Sequence, residues 1–320
     1  MKPFIHLFWK MQMDILYACP PLRGVVGKFS LGAAGSRKVW LKTLLLLILH
    51  TPGAVFIHFR NLLKKRVVLP HLSVPVTTRC TLNCDKCFGH IPDLEHPSDF
   101  PAHELIQSLQ TLLACVNYVY TVAINGGEPF LHSDIGKIVQ ACANSNKVKN
   151  INIQSNGTVI PDENTLTELR NAKATVQISR YSRELQPNVE TLKRILRSND
   201  IRFTHASAEH WKDVGVLGQL QPGSGKERFS VCVQRFCPLI WSGKFYSCPS
   251  AALTEELFSA CVITKEDYID LRTISSEEFR NQYRKLRKKR VLAACDYCCG
   301  YTYMTPKIPV AVQRSSLIER

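Results

Sequence analysis

Acidic residues are almost missing from the first fifth of the chain. Across positions 1–66, Asp14 stands alone against eleven lysines and arginines, so ten of the formal net charge of +15 falls there. A basic surface serving nucleic acid would carry its charge on the folded core; this distribution argues against a nucleic-acid partner. The segment 43–59, TLLLLILHTPGAVFIHF, has no Lys, Arg, Asp or Glu at all. Its length is borderline for crossing a bilayer, and Pro52-Gly53 breaks its helical pattern while His50 and His58 oppose a hydrocarbon setting. A helical hairpin packed on the protein is therefore expected ahead of a true span, with peripheral contact to an anionic membrane surface through residues 1–66 as the alternative.

A secretory leader is not expected either. The opening MKPFIHLFWKMQMD is interrupted by Lys10 and Asp14, and no small-residue cleavage site follows a clean apolar stretch. The expected location is the cytoplasm, where thiols stay reduced. Neither a solenoid-type repeat nor a low-complexity tract is present.

Cysteine is what the chain has in excess: thirteen in 320 residues. With 45% hydrophobic and 21% charged residues, the chain can bury a large α/β core plus a smaller appended unit. It has no need of the disulfides that staple small secreted domains. Metal or cluster ligation is the better use of so many thiols.

From Leu72 onward, short apolar runs alternate with helical patterns, which predicts repeated β-α units and a parallel sheet. Strands are expected at 72–78, 118–124, 149–155, 174–180 and 200–206, with a sixth near 228–234. Helices are expected at 102–115, 134–146, 161–171 and 188–198, with Asp134 and Asn188 as N-caps. Beyond about residue 232 the repeat stops. A charged helix near 276–293 carries Arg284, Lys285, Arg287, Lys288, Lys289 and Arg290, which read as a solvated face. Three units are expected: a basic, apolar extension (1–66), a core (67–235) and a cysteine-bearing C-terminal unit (236–320).

Cys80, Cys84 and Cys87 place three thiols on one short loop directly after a predicted strand. Three thiolates can hold three irons of a cubane and leave the fourth open to a ligand, whereas four thiolates favour electron transfer. Zinc is the structural alternative; it would need a fourth ligand such as His90 or His96. The C-x3-C-x2-C spacing resembles the radical S-adenosylmethionine superfamily. Gly126-Gly127-Glu128-Pro129 resembles that family's GGEP segment, and Asn156-Gly157-Thr158 resembles its NGT stretch. Ser179 is similar to its polar contact with the cofactor's ribose or carboxylate. The resemblance covers about residues 72–235. It implies a partial (β/α)6 TIM barrel, a [4Fe-4S] cluster on Cys80, Cys84 and Cys87, and S-adenosylmethionine cleaved on that cluster to a 5′-deoxyadenosyl radical. Gly126, Gly127, Glu128, Pro129, Asn156, Thr158 and Ser179 would lie around that cofactor. A flavodoxin- or ferredoxin-type electron donor is implied as well.

Cys237, Cys248, Cys295 and Cys298, with Gly243 ahead of Cys248, resemble the family's short twitch extension, related to the SPASM domain. They imply an auxiliary [4Fe-4S] cluster, with Cys232 and Cys299 as competing ligands. Four thiolates leave no vacancy, which favours net oxidation of a substrate radical. His205 and Glu209, beyond the fifth strand, are the candidate bases; His210, Trp211, Asp213, Arg180 and Tyr181 are weaker candidates nearby. The segment ISRYSRELQPNVETLKRIL with His210–Asp213 also resembles radical enzymes of bacterial surface-polysaccharide pathways. The expected substrate is a small molecule of sugar-like kind. A peptide maturase acting on a peptide substrate, and a non-enzymatic cluster- or zinc-binding interaction protein, are the alternatives.

Overall fold

The computed structural model describes residues 66–314 apart from 207–209, 214, 216, 218, 222, 259–262 and 303. The expected hairpin at 43–59, Cys19, Cys261 and Glu209 lie outside the described residues. Among the described residues no helix is long and apolar enough to cross a membrane.

A short strand β1 (Val68–Leu69) leads into β2 (Leu72–Thr77), all six residues of which are buried. Such a continuous apolar run marks a strand covered on both faces. Then follow α1 (Ala102–Cys115), β3 (Tyr118–Gly126), α2 (Ile135–Ala143), β4 (Val148–Ser155), α3 (Glu163–Asn171), β5 (Thr175–Ser179), α4 (Val189–Ser198) and β6 (Arg202–Ala206). Strands β2 to β6 pair in chain order, every pair parallel. This is the β/α succession of a partial TIM barrel. In α1 the buried Leu105, Leu109 and Leu112 fall on one helical stripe and cover the sheet. Val74, Val76, Val122, Ile124, Ile153, Val176 and Ile178 fill the sheet side of that core.

The expected caps differ in detail. Asp134 and Asn188 sit at the helix starts without capping through their side chains. Asp134 pairs with Lys137 at 2.7 Å instead. Asp162, one residue ahead of α3, does cap, accepting from Thr165 N at 2.7 Å.

The sixth strand is not at 228–234. After the two-residue β7 (Trp211–Lys212), that region forms α5 (Gly225–Val231), which Ser224 starts by accepting from Glu227 N. Gly225 lets the helix lie against the 3-10 turn Ala293–Tyr297, since a Cβ there would fall 2.4 Å from Asp296 Oδ1. Instead, the parallel run β2 to β6 is extended on the far side of β2 from β3 by β8 (Leu239–Trp241), while β1 pairs parallel with β3. From β8 the same sheet continues antiparallel through β9 (Lys244–Tyr246), α6 (Pro249–Leu257) intervening, to β10 (Tyr268–Asp270). Helix α7 (Ser276–Lys288) closes over it, with Phe279 5.7 Å from Phe245 and stacked on Tyr283. Last comes β11 (Lys307–Ile308), paired with β7.

Candidate functional site

The C-terminal ends of β2 to β5 gather one set of polar loops, as parallel β/α folds generally do. Pro75 has no N–H to give the ladder, and the pairing of β2 with β3 slips between Pro75 and Thr77. That irregularity brings Thr77 opposite Gly126, so the cysteine loop leaves β2 alongside the end of β3. The contact is close. A Cβ on Gly126 (φ +140°) would meet Thr77 O at 2.1 Å, and one on Gly127 would meet Arg79 O at 2.1 Å and Cys80 Cβ at 3.0 Å. Gly127 N donates to Thr77 O at 2.9 Å and Glu128 N to Arg79 O at 2.8 Å. The two glycines thus let one backbone lie on another directly beneath Cys80.

Glu128 is fully buried. Its carboxylate accepts from Phe130 N (3.1 Å), Asn156 N (2.7 Å) and the Ser155 hydroxyl (3.0 Å), tying the end of β3 to the end of β4. Burial outweighs those donors and pushes its pKa up to about 7. Pro129 opens the 3-10 turn Pro129–Leu131 that follows. Asn156 reaches the cysteine loop itself: its Nδ2 donates to Thr81 Oγ1 at 3.0 Å and lies 3.5 Å from Cys80 Sγ, while its Oδ1 accepts from Thr158. The Thr158 and Thr81 hydroxyls share a short hydrogen bond.

Gln186, which sequence reasoning passed over, is the buried bracket of the next two loops. Its Nε2 donates to Asn156 O and to Ser179 O, and its Oε1 accepts from Tyr181 N at 2.8 Å. Only its burial, 2% exposed, sets it apart from any other loop glutamine. Tyr181 lies within electrostatic reach of the cysteines. Burial pushes its pKa up to about 12, and Cys84, Cys87 and Cys80 each add to the rise. Its ring meets Trp211 edge-on at 6.0 Å. His205 is not drawn into this group. It shares a face of β6 with Phe203, which lies under Arg197 of α4, and its charged neighbours are Lys193, Arg180 and Glu190. Burial and the two cations lower its pKa, and its Nε2 is buried without a partner.

The three thiols fit a cationic iron cluster. Burial pushes Cys80 up to about 11 and raises Cys84 and Cys87 as well. Thiols in such a place ionise when a positive centre compensates. Among the described residues no group of three or more His, Cys, Asp or Glu side chains could hold a single metal ion. His90, the suggested fourth zinc ligand, spends its Nδ1 on Asp93 at 2.9 Å.

A second cavity lies beside α5. Cys232, Cys248, Cys295 and Cys298 line it, together with Gln234 and Arg228. Three distant stretches supply the thiols: the C-terminal end of α5, the start of α6, and the 3-10 turn Ala293–Tyr297 with the residue after it. The sulfurs accept backbone donors, from Gly300 N to Cys298 (3.3 Å) and from Tyr301 N to Cys232 (3.3 Å). Burial raises Cys232, lifts Cys248 well above the ordinary thiol range and pushes Cys295 up to about 12. Cys237, the expected ligand, does not line this cavity; the 3-10 turn Gln234–Phe236 separates it from Cys232. Cys299 stands outside as well, its Sγ 3.1 Å from Gln221 Oε1. The four thiols and their N–H donors fit a four-iron cluster with all its positions taken.

Residues 74–217 match the model of the Radical SAM superfamily, so the chain carries a radical SAM domain over the stretch that holds the cysteine loop and the four polar loops. Domains of this family bind a [4Fe-4S] cluster and S-adenosylmethionine. A curated relative, the GTP 3′,8-cyclase of Clostridium botulinum, is 28% identical over 149 residues, 46% of this chain and 44% of the relative. The chain thus matches less than half the length of that relative. Among solved structures, BtrN in complex with AdoMet and 2-DOIA overlays 78% of this chain and 98% of its own at a TM-score of 0.45 and 12% identity. Native anSMEcpe with bound AdoMet and Kp18Cys peptide overlays 75% and 93% at a TM-score of 0.45 and 14% identity.

Proposed function

We propose that this radical SAM enzyme is a two-cluster oxidoreductase acting on a small, sugar-like molecule. Cys80, Cys84 and Cys87 would hold the cluster that binds S-adenosylmethionine; an auxiliary [4Fe-4S] cluster would take Cys248, Cys295 and Cys298 from a C-terminal unit beginning near residue 236, and Cys232 from the end of the stretch just before it. When bound, these groups supply reductive cleavage of the cofactor to methionine and a 5′-deoxyadenosyl radical, and an acceptor for the electron that a substrate radical gives up.

The chain's own residues do the holding and the shaping. Gly126 and Gly127 let the backbone after β3 lie against Thr77 and Arg79, which would set that turn beside the cofactor's amino-acid end, and Glu128 with Pro129 fixes the turn. Asn156, Thr158 and Ser179 present polar groups to its remaining length. Tyr181 and Trp211 wall the substrate side of the cysteine loop. Glu209 remains the candidate base for the substrate's proton; His205, whose charged neighbours Lys193 and Glu190 belong to α4, is the weaker of the two candidates.

The observation that carries this reading is the second cavity, where four thiols converge and leave no position for a substrate. The test is anaerobic reconstitution followed by assay. The expected protein binds about eight irons and, with a reductant, forms 5′-deoxyadenosine. With sugar or polyol candidates it forms oxidised product in proportion to the 5′-deoxyadenosine released. Turnover that leaves the substrate's oxidation state unchanged would overturn net oxidation while leaving the radical chemistry standing.

A further inference from the structure

The short segment Ala311–Arg314 lies against the cysteine loop more than two hundred residues earlier in the chain. Cys84 and Gln313 form an antiparallel bridge. Asp85 N donates to Val312 O at 2.6 Å and Arg314 N to Asn83 O at 2.8 Å. Arg314 anchors the segment through Asp93 Oδ1 (2.6 Å), Pro92 O (3.1 Å) and Asp85 (3.7 Å). Between these fastenings the Gln313 side chain turns toward the cysteine: its Oε1 accepts from Asn83 N at 2.8 Å, and its Nε2 donates to Cys84 Sγ at 3.1 Å and to Ala311 O at 2.8 Å. No other side-chain amide of the described residues makes so short a contact with a cysteine sulfur of this loop; Asn156 lies at 3.5 Å from Cys80.

We infer that Gln313 is a positioning residue for radical initiation, which holds the Cys84 loop and raises the reduction potential of the cluster bound there. This rests on Cys84 being a ligand of that cluster. The physics is direct. An N–H aimed at a thiolate sulfur stabilises the state with more negative charge, which is the reduced cluster. Without it, the electron that begins the reaction is harder to deliver. The contact spans the chain from the first cysteine loop to the C-terminal segment, so seating that segment and arming the cluster are one event.

The test uses the reconstituted full chain with Gln313→Met, which keeps the length and removes the donor, and Gln313→Glu, which replaces the donor with negative charge. The S-adenosylmethionine-responsive cluster is followed by electron paramagnetic resonance at a fixed poise. The ratio of reduced to oxidised cluster is expected to fall about tenfold in Q313M, equal to about 59 mV for a one-electron couple, and further in Q313E. The auxiliary cluster's signal should titrate as in wild type. A wild-type ratio in both variants overturns the inference. Absence of any S-adenosylmethionine-responsive signal in the wild-type protein instead overturns the assignment of the cysteine loop. Should Q313M fail to load its cluster, hydrogen exchange of the apoproteins gives the reading: faster exchange at 80–87 with β2 unchanged supports the inference, and equal exchange overturns it.

Discussion

The two cysteine sites differ in how far along the chain their ligands are gathered. Cys80, Cys84 and Cys87 come from a single loop, and the sheet has only to present it. Cys232, Cys248, Cys295 and Cys298 come from three stretches that become neighbours when α5, α6 and the 3-10 turn Ala293–Tyr297 pack together. A local triad leaves one side facing the loops after β3 to β5, where a cofactor would be received. A dispersed tetrad encloses what it binds. The first arrangement suits an iron that must exchange ligands, the second one that exchanges electrons alone.

The largest effects should divide the two sites cleanly. Cys84→Ala is expected to bring 5′-deoxyadenosine formation down to background and to remove about half of the bound iron. Cys298→Ala should remove a similar share of iron and leave cofactor cleavage measurable while product formation stops. If both substitutions abolished cleavage equally, the division of labour would be wrong. A sharper version separates two cysteines five residues apart. Cys232→Ala should lose the auxiliary signal, whereas Cys237→Ala should retain it along with nearly all of the iron; measuring iron and paramagnetic resonance on both variants decides between them.

That pair also shows why the local site was legible and the dispersed one only in part, with Cys248, Cys295 and Cys298 named but Cys237 set ahead of Cys232. Three cysteines inside eight residues, a double glycine at a strand end and an Asn-Gly pair at the next strand end are all near-neighbour patterns. The alternation of apolar runs from Leu72 to Ala206 placed those patterns at one edge of a parallel sheet. Five strands and four helices followed from it within a few residues at their ends. The stretch 228–234 did not. Its FSVCVQ alternates like a strand, yet Ser224 and Gly225 start a helix there, and the phase of that helix decides which thiol faces inward. Once the segment is read as a strand, Cys232 and Cys237 become interchangeable. Gln186 and Gln313 were hidden for another reason: both act through hydrogen bonds to distant loops, and no residue beside them announces it.

Smaller effects should separate the backbone of the first site from its ligands. Gly127→Ala places a methyl group 2.1 Å from Arg79 O, and the two backbones must part, at a cost of about 3 kcal/mol. Chemical denaturation of the apoprotein should show that loss. Calorimetric titration of the loaded variant should show weaker S-adenosylmethionine binding, with the auxiliary signal intact. An alanine variant as stable as wild type would mean that the turn has room to spare.

The weakest expected signal is a pH slope, and it belongs to the first site alone, because no carboxylate lines the second cavity. Glu128 titrates at about 7 in the fold against an ordinary value of 4.5, since burial favours its neutral form. Between those two values the folded protein holds a proton that the unfolded chain has released, so stability is highest below about 4.5 and declines as pH rises toward 7. The decline is at most about 1 kcal/mol per pH unit and levels off above 7, where both states are ionised. Glu128→Gln alters the baseline, because an amide cannot accept from Ser155, Phe130 N and Asn156 N as a carboxylate does. It should nevertheless remove this component of the slope. Denaturation midpoints of the two apoproteins, compared at pH 5, 6, 7 and 8, are expected to converge as the wild type loses its proton. Parallel profiles would show that Glu128 is already ionised in the fold, and that its three donors outweigh its burial.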